Sequence, residues 1–139
     1  MEVSGSFPGG SMAIEFNHTI VHVRDKHASA EFLTRMLGLP EPTPMWSFMT
    51  VPLANGVALD FASAQGEIPR QHYAFLVSEE EFDGIFARIE AEGIPYWADP
   101  GRTRAQQINH NDGGRGVYFQ DPNGHLLEAI TRPYGSGAA

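Results

Sequence analysis

Residues 17–25, NHTIVHVRD, recur 54 positions later as residues 71–79, QHYAFLVSE. Each stretch has a polar residue, a histidine, a run of strand-forming residues and a polar stop. Apolar residues at helical spacing follow in both copies, and each helical stretch ends at a glycine with a proline two residues later, Gly38-Leu39-Pro40 and Gly93-Ile94-Pro95. The chain therefore repeats one structural unit, and this repeat decides the fold.

Both copies return to strand patterning after the helix. The last strand of each copy follows an Asn-Gly pair, Asn55-Gly56 or Asn123-Gly124, and such pairs favour tight hairpin turns. The second copy is longer than the first, and its extra residues fall in the loop-like stretch 99–116. Each copy is thus predicted to be a strand, a helix and then two or three strands. Neither copy could bury its sheet alone, so we expect the two to pack as one α+β domain.

The length and composition of the chain limit its organisation. It has 139 residues, 42% of them hydrophobic, which suits one domain with its own core. We expect this domain at residues 13–133, divided into modules 13–66 and 70–133. Residues 1–12 are expected to be a disordered tail or a cloning scar, and residues 134–139 a flexible tail.

Cysteine content and charge exclude several classes of function. The chain has no Cys, which excludes cysteine nucleophiles, disulfides and thiolate metal sites. Its net charge of -8 repels nucleic-acid phosphates and anionic lipid. No apolar run approaches the roughly 20 residues that cross a bilayer. We therefore expect a cytoplasmic protein with a small-molecule partner, and neither a nucleic-acid nor a membrane partner.

The repeat places histidines and acids at equivalent positions. His18 and His72 occupy the same place in the first strand of their copies, and Asp60 and Glu128 both lie in a last strand. Strand alternation gives Asp60 a face of small residues, which indicates a cavity. If the repeat brings these four side chains together, two imidazoles and one or two carboxylates suit a divalent first-row metal such as Fe, Mn, Co, Ni or Zn.

A structural role for each of these residues is the alternative. A single histidine on a strand is more often a hydrogen-bonded structural residue than a ligand, but its recurrence with an acid in both copies favours a metal site. Asp60, one methylene shorter than Glu, is either a fourth ligand or a residue that reaches the metal only through water. His22 is expected in the pocket or the core, whereas His27, in a helix, and His125, in a turn, are expected to be exposed.

The repeated unit, together with residues 121–128 (DPNGHLLE), resembles the vicinal oxygen chelate superfamily. That superfamily includes glyoxalase I, extradiol dioxygenases, fosfomycin resistance proteins and bleomycin-binding proteins. The resemblance covers residues 13 to 133 and implies two tandem βαβββ modules that form a cup-shaped mixed sheet with helices on the outside. It also implies a homodimer and a metal held by His18, His72 and Glu128.

Within the superfamily, residues 108–128 are similar to the extradiol dioxygenase signature. The matching positions are Ile108, Asn109, His110, Val117, Tyr118, Asp121 to Gly124 and Glu128. By this match His110 and Tyr118 are catalytic candidates that would hydrogen-bond the substrate, with His110 as a proton donor. Two His and one carboxylate leave three positions of Fe(II) open for a catecholate and dioxygen. The resemblance predicts extradiol-type cleavage of a catechol, with Fe(II) preferred over Mn, Ni, Co or Zn.

Two other functions remain open. A fourth ligand at Asp60 would resemble glyoxalase I, whereas a bleomycin-type protein would bind a drug without metal in an aromatic groove. Fosfomycin thiol transfer is disfavoured, because Ile20 and Gly137 stand where that family has threonine and arginine. The loop 99–116 is a candidate lid whose arginines could receive an anionic substrate. The candidate pocket residues are His22, Trp46, Phe48, Trp97 and Arg115.

Overall fold

The computed structural model describes residues 13–137, and the tail expected at residues 1–12 lies outside them. The elements follow one another in the same order in both modules. The first module contains β1 (His18–Val23), α1 (Lys26–Leu37), β2 (Thr43–Met45), β3 (Phe48–Pro52) and β4 (Ala58–Ser63). The second contains β5 (His72–Leu76), α2 (Glu79–Ala91), β6 (Tyr96–Trp97), a 3-10 helix (Asn111–Gly113), β7 (Gly116–Gln120) and β8 (Leu126–Ile130).

The strands form two mixed four-stranded sheets of the same layout. Their orders are β1-β4-β3-β2 and β5-β8-β7-β6, with β1 parallel to β4 and β5 parallel to β8. The registers also match, because Ile20 is opposite Asp60 and Ala74 is opposite Glu128. The α+β fold of two equivalent modules is therefore confirmed. Within residues 13–137 the eight strands make two separate sheets, in which β1 and β5 are both edge strands.

Local signals in the sequence fix the ends of the helices. Ser78 and Glu81 form a capping box at the start of α2, since each side chain accepts a hydrogen bond from the other residue's backbone N–H. Gly38 ends α1 in the left-handed conformation, with φ of 74°, which costs a glycine little. The residue pattern did not locate the short strands β2 and β6, which only the resemblance implied, because two or three residues carry too little periodicity to recognise.

One apolar core joins the two modules. Helix and sheet residues contribute to it together, and its largest buried members include Met36, Phe82, Ile85, Ile89 and Phe119. In β1 the core takes Val21 and Val23, and the alternate residues are exposed. In β5, His72 lies on the exposed face. The predicted donors of the first strands therefore lie on the sheet faces directed away from the core.

No helix within residues 13–137 is both long enough and apolar enough to span a bilayer.

Candidate functional site

His72 and Glu128 lie together on neighbouring strands of the second sheet. Nε2 of His72 is 3.0 Å from Oε1 of Glu128, although the two residues are 56 positions apart in the chain. The backbone carbonyl of Leu126, 3.0 Å from Nδ1 of His72, can only accept a hydrogen bond, so Nδ1 carries the hydrogen. In a neutral imidazole the lone pair then lies on Nε2, directed at the carboxylate.

The carboxylate of Glu128 is buried, with its side chain 1% exposed, whereas the His72 side chain is 46% exposed. Tyr134 covers this carboxylate by donating a hydrogen bond to Oε2 of Glu128. The hydroxyl of Tyr118 lies 2.8 Å from that of Tyr134 and donates to it, because the hydrogen of Tyr134 is already engaged. A hydrogen-bond chain thus runs from Tyr118 through Tyr134 to Glu128.

Tyr134 is the site residue that the sequence did not indicate. It falls in the stretch 134–139 that was expected to be a flexible tail, of which the structure describes residues 134–137. The residue as a whole is 59% exposed, but its hydroxyl lies against the buried carboxylate. An aromatic residue in an otherwise Gly-, Ser- and Ala-rich terminus was the one available signal.

The pKa of each of the two tyrosines in this hydrogen-bond chain, Tyr118 and Tyr134, is raised. Burial raises the pKa of Tyr118, and the hydrogen bond to Tyr134 raises it further. Burial of the hydroxyl and the hydrogen bond to Glu128 raise the pKa of Tyr134. The ring of Tyr118 also stacks on that of His72, with the ring centroids 6.0 Å apart. At neutral pH the two tyrosines are therefore hydrogen-bond donors and not bases.

His18 and Asp60, the other two predicted donors, lie in the first module. His18 is exposed on β1, and its Nδ1 is 2.7 Å from Oδ1 of Asn17. Oδ1 of Asp60 accepts a hydrogen bond of 2.8 Å from the hydroxyl of Thr50, directly across the strand pair. Within residues 13–137, no three His, Asp or Glu side chains come close enough together to hold a metal ion. One chain thus brings together His72 and Glu128 but not the donors of the first module.

The chemistry of the His72–Glu128 pair fits a divalent metal. Nε2 of His72 and a buried carboxylate oxygen of Glu128 face each other at 3.0 Å, and with Nε2 unprotonated a cation between them would satisfy both. The carbonyl behind Nδ1 and the hydroxyl on Oε2 are the kind of outer contacts that hold metal-binding His and Glu side chains in place. Two donors leave the coordination incomplete, so a metal would need at least one further protein ligand.

His110, the predicted proton donor, is exposed in the loop before β7, where it precedes the 3-10 helix. The neighbouring Asn109 is buried and structural, because its amide donates to the carbonyl of Ala98 over 2.9 Å. Gly116 lies so close to this amide that an added Cβ would be 2.8 Å from its oxygen. Part of the signature segment therefore builds the loop that presents His110.

The aromatic and histidine pocket candidates occupy separate places in one chain. Trp46 is 92% exposed at the tip of the β2–β3 hairpin, and Phe48 is half-buried at the start of β3. Trp97 lines a cavity of about 380 Å³ beside the C-terminal end of α2. His22 lines another, of about 270 Å³, with Tyr73 and other residues of the second module. Neither of these two cavities is lined by all four candidate residues.

Arg115 is engaged by α2. Its guanidinium donates to Glu79 Oε1 and Asp83 Oδ1, each over 2.8 Å, and lies 4.5 Å from the centre of the Phe82 ring. These hydrogen bonds raise the pKa of Arg115, the one to Asp83 most. The guanidinium therefore connects β7 to α2 and needs no anionic substrate to balance its charge.

His125 is buried, and the expectation that it would be exposed was wrong. It is 1% exposed, accepts a hydrogen bond from the backbone N–H of Gln71 at Nδ1 and donates from Nε2 to the carbonyl of His22. The turn 121–124 is itself packed between the modules, since Asn123 bonds to the Arg24 backbone and the Ser29 side chain. Residues that sequence assigns to a surface turn are thus part of the contact between modules.

The fold and the site together define a two-module protein with a histidine–carboxylate pair on one sheet. The chain belongs to the Glyoxalase/Bleomycin resistance protein/Dioxygenase superfamily, whose family model matches residues 15–129. The metal-dependent enzymes of this superfamily use divalent metals.

Named relatives come from different branches of enzyme chemistry. Glutathione transferase FosA of Serratia marcescens is 30% identical, over 84% of this chain and 80% of that protein. The solved structure of Oxidase ChaP-H2 is 58% identical, covers 91% of this chain and 100% of its own, and superposes with a TM-score of 0.88. That of Oxidase ChaP-H1 is 56% identical, covers 88% and 98%, and gives 0.87.

Proposed function

We propose that this protein is a metal-dependent enzyme that uses dioxygen to oxidise a small substrate with two adjacent oxygens, with ring cleavage of a catechol as the specific reaction. The observation that carries the proposal is the His72–Glu128 pair, which presents one imidazole nitrogen and one carboxylate oxygen to the same point. The high identity to two oxidases supports oxidative chemistry. Fe(II) held by two His and one carboxylate would supply three open positions for the substrate oxygens and dioxygen.

A second copy of the chain would provide the remaining ligand. β1 and β5 are edge strands, and the exposed face of each carries a histidine and apolar residues, among them Ile20 at 43% exposed and Leu76 at 62%. An open strand edge with exposed apolar residues favours pairing with another chain. Pairing of β1 from one copy with β5 from another would bring His18 to His72 and Glu128, and Asp60 would accompany His18. This interpretation unites the expected homodimer with the expected ligand set.

The protein's own side chains would bind and orient the substrate. Tyr118 and Tyr134 form the hydrogen-bond chain that orients the Glu128 carboxylate, and the stacked Tyr118 ring limits how His72 can turn. His110 stays our proposed proton donor, because its exposed loop adjoins the 3-10 helix that binds the segment carrying Tyr134. The exposed edge of His72 leaves the site open to a small molecule.

Thiol transfer is the competing function, because the FosA relative is a glutathione transferase. The substitutions at Ile20 and Gly137 argue against it, since each replaces a polar or charged side chain of the fosfomycin enzymes. Isomerisation of a hemithioacetal is disfavoured because this chain has Asp60 where glyoxalase I normally carries a glutamate.

The proposal is tested by anaerobic loading with Fe(II), removal of free metal, metal analysis and oxygen uptake with a panel of catechols. We expect close to one iron per chain in the wild type and little in His18→Ala, His72→Ala and Glu128→Ala. His27→Ala, an exposed α1 histidine, is the matched control and should load normally. Parallel assays with fosfomycin plus glutathione, and with a hemithioacetal, test the two alternatives.

Oxygen uptake that requires both iron and a catechol would support the proposal. Retention of iron by His72→Ala and Glu128→Ala would refute the metal site, and an iron-loaded protein active only in the thiol-transfer assay would replace oxidation with that reaction.

A further inference from the structure

The C-terminal segment, residues 133–137, has a defined seat on the second module. Oδ1 of Asp112 accepts hydrogen bonds from the backbone N–H groups of Gly135, at 3.1 Å, and Gly137, at 3.4 Å. A turn within the segment is closed by the N–H of Ser136 and the carbonyl of Pro133, 3.1 Å apart. An added Cβ on Gly137 would lie 1.7 Å from the Asp112 carbonyl oxygen, so the backbones approach too closely for a side chain.

This seat determines where the Tyr134 hydroxyl lies. The hydroxyl donates to Oε2 of Glu128, and Tyr118 donates to the hydroxyl in turn. Oε2 is therefore occupied, while Oε1 faces Nε2 of His72. A carboxylate with one oxygen tied in this way has the other free for a cation and resists rotation about its terminal bond.

We propose that residues 133–137 are a built-in part of the metal site, in which Tyr134 is a positioning residue that holds Glu128 as a one-oxygen ligand. Asp112 acts on the site through this segment, because it fixes the backbone on either side of Ser136. The inference rests on the proposed function, since it assigns Tyr134 a role toward the ligand Glu128.

The test uses Co(II) alone as the probe, added to the full-length protein without substrate. The dissociation constant is measured by competition with a chelator, and the visible absorption of bound Co(II) reports its ligand geometry. Removing an outer hydrogen bond from a metal ligand typically weakens metal binding 10- to 100-fold. We expect Tyr134→Phe to weaken Co(II) binding about tenfold and to change the visible spectrum. Tyr118→Phe, one bond further away, should have a smaller effect.

Variants of Asp112 test the contribution of the backbone contacts that hold residues 133–137, separately from that of the Tyr134 hydroxyl. Asp112→Ala should weaken Co(II) binding as Tyr134→Phe does, and the double variant should lose no more than either single one, because both act through one contact. Asp112→Asn keeps the accepting oxygen and should bind Co(II) as tightly as the wild type. Tyr96→Phe is the matched control: this half-buried tyrosine of β6 packs against Phe86 of α2, and the substitution should leave affinity and spectrum unchanged.

Wild-type affinity and an unchanged spectrum in Tyr134→Phe would overturn the inference, provided that Glu128→Ala abolishes binding. Additive losses in the Asp112→Ala, Tyr134→Phe double variant would also overturn it. Failure of the wild type to bind Co(II) would instead remove the proposed metal site and this inference together. The Glu128→Ala result therefore tells the two failures apart.

Discussion

His125 of the second module donates a hydrogen bond from Nε2 to the carbonyl oxygen of His22 in the first, across 2.8 Å. Its other ring nitrogen accepts from the N–H of Gln71, the residue before His72. One buried imidazole thus satisfies a backbone group in each module. It also connects β1, the strand of His18, to the start of β5, the strand of His72.

We expect His125→Ala to lower the free energy of unfolding by about 3 kcal/mol, because it leaves a buried N–H and a buried carbonyl without partners and opens a cavity. Denaturant unfolding of the variant beside wild type measures this. His27→Ala is the control and should change stability by less than about 0.5 kcal/mol, as exposed sites usually do. A loss in His125→Ala no larger than in the control would contradict the assigned role.

Complementation between two inactive variants tests whether the metal site is shared. His18→Ala and Glu128→Ala chains are unfolded, mixed and refolded together, and bound metal is then measured. If each site takes His18 from one copy and His72 and Glu128 from the other, a mixed dimer recovers one intact site. About half of the dimers in an equal mixture are mixed by simple pairing, which gives roughly a quarter of wild-type metal content. Ligands from a single chain would give no recovery.

The two site tyrosines predict a loss of stability at high pH. An unfolded tyrosine has a pKa near 10, whereas burial raises the pKa of Tyr118 and Tyr134 in the folded protein. The stability gained from the protonated phenols is fully present below pH 10 and is lost as pH rises from 10 through the folded-state values. Part of the phenolate absorbance of the folded protein should therefore appear only above about pH 10, and this part should be smaller in Tyr118→Phe. A wild-type titration complete near pH 10 would refute this.

Arg115 should contribute to stability and not to substrate affinity. Arg115→Ala removes the contacts with Glu79, Asp83 and the Phe82 ring and should cost about 1 kcal/mol of unfolding free energy, because the carboxylates are largely exposed. Arg115→Lys keeps the charge but not the two-pronged geometry and should recover only part. KM should be unchanged in both. A raised KM with normal stability would contradict this and would support the original prediction that Arg115 lies in the substrate pocket.

Much of the fold was predictable because its signals are local. The capping box of Ser78 and Glu81, the left-handed Gly38 and the Asn-Gly turns each act over a few residues, and the repeat supplied the glycine and Asn-Gly signals twice. The short strands β2 and β6 form only because longer neighbours offer them hydrogen bonds, so no pattern of their own marks them. Sequence could therefore give the order of the elements but not the full width of each sheet.

The candidate site was less accessible to sequence. The repeat indicated His72 and Glu128 correctly as equivalents of His18 and Asp60, but it could not say which of the four would meet in one chain. That depends on how the two modules pack, and they pack through their helices and the turn at Asn123, with β1 and β5 left as open edges. Periodicity within a strand gives the face of a side chain and says nothing about the direction in which modules join.

By itself, then, the sequence determined two equivalent modules, each a strand, a helix and two or three further strands, and it determined which strands carry histidine and acid, because helix periods, strand alternation and caps are properties of neighbouring residues. Only the tertiary structure decided that His125 is buried between the modules and that Tyr134 reaches Glu128 from the C-terminal segment. These contacts join parts of the chain whose approach is set by core packing and by hydrogen bonds that buried polar groups must find.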